Sequence, residues 1–335
     1  MSAMIEDLMH PSAFPEKPEK ITFVQTHIST VFIGDEFVYK IKKPVNFGFL
    51  DFSTLEKRAY YCNKEVDLNN RFSKGVYLGV YTVNFDGDKY KIDGSGEIVD
   101  YAVKMRRLPD EDLMKSRFKD GKVKSDEIKR IGEAIANIHK KADRSKEIDE
   151  FGKIDSIKVN TDENFQQTSK FIDNSISKEQ YDTLKKWTDR FYEENQELFN
   201  QRIKNGNIRD CHGDLHMEHV CLTDPIIIFD CIEFNDRFRY IDTLSDIAFL
   251  LMDLEFNGGE DLSKELRNSY LTSAGEKNDN LVISLLDFYK VYRAYVRGKV
   301  NSLILTDKNV PDEKKLLAKN TAQKYFSLAY SYTLK

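Results

Sequence analysis

The chain is poor in the features of secreted and membrane-bound proteins. Only four cysteines occur in 335 residues, Cys62, Cys211, Cys221 and Cys231. With no secretion signal ahead of them, they are expected to be reduced thiols rather than a disulfide framework. The N-terminus, "MSAMIEDLMHPSAFPEKPEK", lacks the basic region and apolar core of a leader, and no apolar run approaches the ~20 residues that span a bilayer. The expected location is therefore the cytoplasm. Positive charge is also scarce: a net charge of −5 gives no overall attraction for nucleic acid or anionic lipid, so neither is an expected partner. Proline is rare, and three of the seven fall in the first 20 residues, so 1–20 reads as a tail that can pack but does not nucleate structure. No repeat of roughly 20–50 residues and no low-complexity tract occurs, which excludes a solenoid.

What is present falls into two textures. In "ITFVQTHISTVFIGDEFVYKIKKPV", β-branched and aromatic residues flank Gly34 and Asp35, predicting a two-strand hairpin. "DFSTLEKRAYYCNKEVDLNNRF" follows with a helical pattern: Ser53 as N-cap, Glu56 completing a capping box, and an apolar face of Leu55, Ala59, Cys62, Val66 and Leu68. "GVYLGVYTVNF" and "GEIVDYAVKMRRLP" read as further strands around a turn at Asp86, Gly87 and Asp88. Beyond Pro109 the spacing becomes helical through "SDEIKRIGEAIANIHKKAD", "EQYDTLKKWTDRFYEENQELFNQRI" and "IDTLSDIAFLLMDLEF". The pattern predicts an α+β chain: a small antiparallel β-rich lobe with one helix over 21–108, then a larger, mostly helical lobe over 109–335.

The densest chemistry lies in "DCHGDLHMEHVCL". Cys211, His212, His216, His219 and Cys221 all offer zinc-compatible donors. Gly213 and the following "IIIFD" favour a loop and strand over a metal-binding helix, and a polar turn with backbone-bonded histidines is the plain alternative. The context is a second acid: "PIIIFD" delivers Asp230 at the end of a short apolar strand, sixteen residues after Asp214. A loop carboxylate and a strand-end carboxylate provide a general base and a hard oxygen ligand for Mg²⁺, as phosphoryl transfer requires.

"HGDLHMEH", then "IIIFDCIEF", then "DTLSDIAFL" resemble the aminoglycoside phosphotransferase and choline kinase family, whose fold is protein-kinase-like with two lobes. The similarity runs from about Ile21 to Phe256. It implies that Asp214 is the catalytic base, Asp230 the principal Mg²⁺ ligand, and Asp246 a brace for the loop. The sequence departs from the family pattern at His219, which stands where the family has an asparagine on the second metal. Imidazole is a poorer match to Mg²⁺. The resemblance further implies that Lys40 holds the nucleotide phosphates, with Lys42 on the same strand face, and that Glu65 fixes Lys40 from a helix. The segment "THISTVFIG", with Ser29 and Thr30, would cover the phosphates, and the strand ending at Arg106 and Leu108 would bind the base. "IGEAIANIHKK" is assigned to core packing through Ile131, Ile135 and Ile138. ATP or GTP with Mg²⁺ is the implied cofactor pair, and a small molecule with a hydroxyl group the implied acceptor. Some relatives of this branch carry an added P-loop domain, and the chain is expected to act without that module or with it in trans.

Other readings compete. A P-loop of its own fails, because the Gly-Lys pairs at Gly121, Gly152 and Gly298 have Ser116, Glu147 and Arg293 where the first glycine belongs. A metal-dependent hydrolase would use His212, Asp214, His216 and His219. A protein kinase would need an activation segment, and the interval from Asp230 to Asp246 is short. A non-catalytic nucleotide-binding regulator is the third alternative. For the acceptor, His216, Glu233, Asp236, Arg237 and Arg293 are candidate contacts, with Arg297 and Lys299 on the same helical stretch. Their null is a salt-bridged helix face, whereas the arginines point to an anionic or phosphorylated acceptor.

Overall fold

The computed structural model describes residues 2–308 and 310–334. These divide into two compact units, one made of Met1–Gly121 with Glu218–Asp236 and the other of Lys122–Met217 with Arg237–Lys335. The boundary falls later than residue 108, and the segment carrying Asp230 joins the first unit. The cause is local pairing: Leu113 bridges Cys221, and the Leu222 N–H donates to the Asp112 carbonyl at 2.7 Å.

The first unit is built on an antiparallel six-stranded sheet: β1 (Thr22–Gln25), β2 (Ser29–Ile33), β3 (Phe37–Lys42), β4 (Tyr77–Phe85), β5 (Tyr90–Ile92) and β6 (Glu97–Arg106), in the order β1-β2-β3-β6-β4-β5. Three strands, not two, precede residue 43. Thr26 divides the first pair, accepting the N–H groups of Ile28 and Ser29 on its hydroxyl and turning the chain there. The side-chain period of two then sorts β3: Tyr39 and Ile41 enter one apolar layer, while Lys40 and Lys42 project from the other face.

Each face is covered differently. On the Tyr39 side lies the N-terminal segment, expected to be a tail. It forms α1 (Ser2–Leu8) and a short turn at Pro11–Ala13, burying Met4, Leu8, Ala13 and Phe14 against Phe32, Tyr39 and Ile41. Glu16 completes the cover, accepting hydrogen bonds from Tyr39 and from Lys104, whose ammonium lies 4.2 Å from the Phe37 ring centre. The opposite face carries α2 (Leu55–Asn69), capped by Thr54 rather than Ser53, the Thr54 hydroxyl accepting the Lys57 N–H. The Ser53 hydroxyl instead donates to Asp51.

The stripe that α2 buries is not the apolar one. Arg58, Cys62, Glu65 and Asn69 are its buried residues, whereas Leu55, Ala59, Val66 and Leu68 are half-buried. Burial of this polar stripe is possible because each polar member finds a partner in the same unit: Arg58 binds Asp100 at 2.8 Å, Glu65 binds two lysines, and Asn69 accepts the Cys231 N–H at 2.9 Å. A short helix, α3 (Met114–Lys119), and a ribbon pairing Val220–Cys221 with Ile227–Ile228 complete the unit.

The second unit is helical: α4 (Ser125–Lys141), α5 (Lys146–Glu150), α6 (Ile154–Thr168), α7 (Lys178–Glu194), α8 (Gln196–Lys204), α9 (Thr243–Phe256), α10 (Glu260–Ala274), α11 (Asn280–Ile304) and α12 (Asp312–Tyr332). Helix α9 is apolar on nearly every side and is buried continuously from Thr243 to Leu254, making it the axis on which the others pack. Gly132 lets α4 approach α10, since a Cβ there would fall 2.7 Å from Ser269 Oγ and 2.9 Å from the Tyr270 nitrogen. A two-strand ribbon, Ile208–Asp210 against Tyr240–Asp242, delivers the loop that follows residue 210.

Because Phe14 is 2 % exposed inside the first unit's apolar layer, Phe14→Ala is expected to destabilise that unit by about 3 kcal/mol, read from urea unfolding followed by tyrosine fluorescence. An unchanged midpoint would show that the N-terminal segment does not carry the core.

Candidate active site

In the second unit the loop "HGDLH" is suspended from one carboxylate. Asp246, in the first turn of α9, is fully buried, and its two oxygens accept the N–H groups of His212 at 3.0 Å and Gly213 at 2.8 Å. His139, from the end of α4, lies with Nε2 3.1 Å from the same carboxylate and Nδ1 2.8 Å from the Tyr270 hydroxyl. Burial works against the charge of Asp246, but the His139 hydrogen bond and the nearby His212 and Arg293 hold its carboxyl down at about 2. His139 is thus part of the loop's support, which the assignment of its helix to apolar packing alone did not capture.

Gly213 has φ +85, a left-handed conformation that explains glycine between His212 and Asp214. Arg293 seals the loop from α11, donating from Nη1 to the Gly213 carbonyl at 2.9 Å and from Nε to the Ser245 carbonyl at 3.1 Å. The Met217 N–H is accepted by Asp253 at 3.0 Å. Held in this way, Asp214 keeps a side chain 35 % exposed, with His216 Nε2 3.5 Å from its Oδ2. Burial opposes protonation of His216, yet Asp214 beside it raises the imidazole above its usual range. His212 Nδ1 accepts the Asp214 N–H at 3.3 Å, committing a lone pair that a zinc ion would need.

The first unit gathers the other charged residues. Glu65 is fully buried on α2 and bridges both lysines of β3, Lys40 at 2.9 Å on Oε1 and Lys42 at 2.6 Å on Oε2. Lys40 also reaches Asp230 Oδ1 at 2.5 Å, and Lys42 makes a short contact with Glu233. Burial disfavours charge on Lys40, but Asp230 and Glu65 raise its pKa well above the usual lysine value. Burial acts against Glu65 too, and the two lysines keep it ionised and lowered. For Glu233 burial prevails over Lys42, and its carboxyl is pushed up. Two ammonium groups thus face three carboxylates, which leaves room for one further cation.

Asp230 adopts φ +62, uncommon outside glycine, with its N–H on the Tyr77 hydroxyl at 3.0 Å. Its carboxylate is 36 % exposed, and His219 Nε2 lies 3.6 Å from Oδ2. An exposed carboxylate in a cluster with surplus negative charge fits a hard divalent cation, with His219 as the neighbouring donor.

Several sequence expectations are redistributed. Lys42 is a buried structural cation, 1 % exposed, and Glu233 is its partner rather than an acceptor contact. Asp236 pairs with Lys64 at 2.8 Å, and Arg237 with Glu163 at 2.7 and 3.0 Å. Ser29 and Thr30 are buried within β2 at 1 % and 2 % exposure, so the exposed residues of that hairpin are Thr26 and His27. The Arg106 N–H is taken by the Val76 carbonyl at 2.8 Å, and Leu108 packs beside Val76 and Val103, so neither offers the free contact expected of it. Tyr77, Asn69 and Asp253 were missed, since a lone hydroxyl, amide or acid carries no motif. Asp253 lies seven residues after Asp246 on the same helix, the one signal that could have found it.

The fold shared with known structures is that of the kinase-like phosphotransferases. A solved choline kinase from Cryptosporidium parvum aligns over 97 % of this chain and 92 % of its own, with TM-score 0.56 and 12 % identity. The GDP complex of a wild-type aminoglycoside 2'-phosphotransferase aligns over 98 % and 99 %, with TM-score 0.55 and 12 % identity. Residues 89–280 match the model of the phosphotransferase enzyme family, and the chain belongs to that family. An uncharacterised protein of Mycobacterium tuberculosis is 34 % identical over 278 residues, 82 % of this chain. The chain spans about half the length of such curated relatives, 53 %. Among the described residues, no helix is long and apolar enough to cross a membrane.

Asp246→Ala removes an acceptor for three donors at once, and is expected to cost on the order of 3 kcal/mol in urea unfolding. It should also hasten hydrogen exchange at the His212 and Gly213 amides. Unaltered exchange at these two amides would contradict the suspension of the loop from Asp246.

Proposed function

We propose that this chain transfers the γ-phosphoryl group of ATP or GTP to a hydroxyl of a small molecule. The observation that carries the reading is the arrangement around Lys40, a strand lysine held between the helix-borne Glu65 and the strand-end Asp230. Phosphoryl transfer needs a fixed cation for the phosphates and a carboxylate for the metal, and this cluster holds both in one unit. The nucleotide bound by the fold's aminoglycoside relative agrees with it.

In this reading Asp214 orients the acceptor hydroxyl and takes its proton as the new O–P bond forms. The bond between the γ-phosphorus and the bridging oxygen breaks, and the nucleoside diphosphate leaves. Lys40 neutralises the phosphates, Glu65 positions it, and the exposed turn at Thr26 and His27 covers them with backbone N–H groups. Asp230 would hold Mg²⁺, with His219 as a second donor, and the ion would supply charge neutralisation at the phosphates. Asp246 and Arg293 act through the loop.

Three measurements test the proposal. Millimolar MgATP is expected to raise the melting temperature, because a ligand selective for the folded state stabilises it; no rise would count heavily against a nucleotide site. With an identified acceptor, Asp214→Asn should retain that rise and lose transfer by on the order of 10³-fold, while Asp230→Asn should weaken the rise itself. Wild-type turnover in both would refute the assigned roles. If His219 contacts the ion, His219→Asn should shift the metal preference of transfer from Mn²⁺ towards Mg²⁺; identical Mg²⁺ and Mn²⁺ titrations would remove it from the metal site.

A further inference from the structure

Inside the helical unit lies a cavity of about 30 Å³ whose lining includes Asn160, Arg237, Tyr292, Arg293, Asp242 and Ser245. Two of the side chains lining it carry buried polar atoms with no hydrogen-bond partner, Arg293 Nη2 and Asn160 Oδ1. Arg293 is 5 % exposed, and its other bonds go to the carbonyls of Gly213 and Ser245. Among the described residues, no carboxylate lies within ion-pair distance of it. A guanidinium withdrawn from water without a carboxylate partner is costly, and a costly arrangement at a cavity wall is the mark of a ligand that completes it.

We propose that this cavity receives the carboxylate of the phosphate acceptor, so that the acceptor is a small hydroxy acid. The inference rests on the phosphotransferase reading and specifies its substrate class.

Size and charge support it together. A water-sized position needs about 10–15 Å³ of such volume. The cavity therefore has room for two such positions, matching the two oxygens of a carboxylate and leaving no space for a phosphate. Arg293 Nη2 supplies one donor. The Asn160 amide, turned about its last bond, supplies Nδ2 as another. Arg237 and the Tyr292 hydroxyl line the same wall. The one acid there, Asp242, already has its charge answered: both oxygens bind Arg202 at 2.8 Å, and the Leu244 N–H and Tyr289 hydroxyl also bond it.

The same guanidinium that meets the cavity holds the carbonyl of Gly213, the residue before Asp214. A carboxylate seated on Arg293 is thereby tied to the loop that carries the base, which favours short acceptors. Choline and other cations would meet arginines at this wall and be repelled.

The test is thermal unfolding of the wild-type chain with glycerate or glycolate, alongside uncharged glycerol and cationic choline, each with and without MgATP. Glycerate or glycolate is expected to raise the melting temperature, and glycerol and choline are not. Asn160→Leu deletes the amide and fills the cavity, and should raise the half-saturating acid concentration at least about ten-fold. Arg293→Lys, which keeps the charge and loses the fork, should weaken the acid response similarly. A rise with choline, no rise with either acid, or an acid response untouched by Asn160→Leu would overturn the proposal; the last two outcomes would leave the cavity to ordinary water. The MgATP arm separates the two failures. A nucleotide response without an acid response sinks only the hydroxy-acid inference, whereas no nucleotide response sinks the phosphotransferase reading beneath it.

Discussion

A charge taken out of water persists only where donors or opposite charges are held against it, and the helical unit is organised around one such case, Asp246. Its carboxylate sits at the start of the most apolar helix in the chain, where no solvent can solvate it. Backbone N–H groups of His212 and Gly213 and the imidazole of His139 do so instead. The demand spreads outward: α4 must supply His139, α10 the tyrosine that orients it, and α11 the arginine that holds the Gly213 carbonyl. Four helices are thereby fixed relative to a five-residue loop, and a half-exposed aspartate is presented on a rigid support.

The β-rich unit solves a similar problem with a different device. Its helix α2 turns a polar stripe inward, which would be ruinous without partners and is satisfied by Arg58 with Asp100, Glu65 with two lysines, and Asn69 with the backbone of Cys231. The last of these links α2 to the segment that carries Asp230, and the Tyr77 hydroxyl links β4 to the same place. The unusual backbone of Asp230 is thus fixed from both a helix and a strand.

These two solutions mark how far the sequence can be read. The loop glycine, the strand-end aspartate and the lysine-bearing strand were visible because each sits inside a patterned run. Asp246 was visible through its neighbours on an apolar helix. The inward stripe of α2 was not, because amphipathic spacing assigns polar residues to water and cannot know that a sheet elsewhere supplies their partners. The N-terminal segment was misread for a related reason: its prolines mark breaks, yet Met4, Leu8 and Phe14 are spaced to cover a sheet face that only the fold creates. Lys40 and Lys42 looked equivalent on one strand face. Their separation into an accessible and a buried cation came from Glu233, far along the chain.

The sharing of Glu65 between two lysines has an effect on how readily Lys40 can be recruited. A lysine held by a single buried carboxylate could leave only by stranding that carboxylate without a counter-ion. Here Lys42 stays behind, anchored by Glu233, and continues to neutralise Glu65 while Lys40 turns elsewhere. The second lysine works as an electrostatic understudy: it makes the first one detachable, so an incoming anion competes for Lys40 against a single half-exposed aspartate instead of the whole buried cluster.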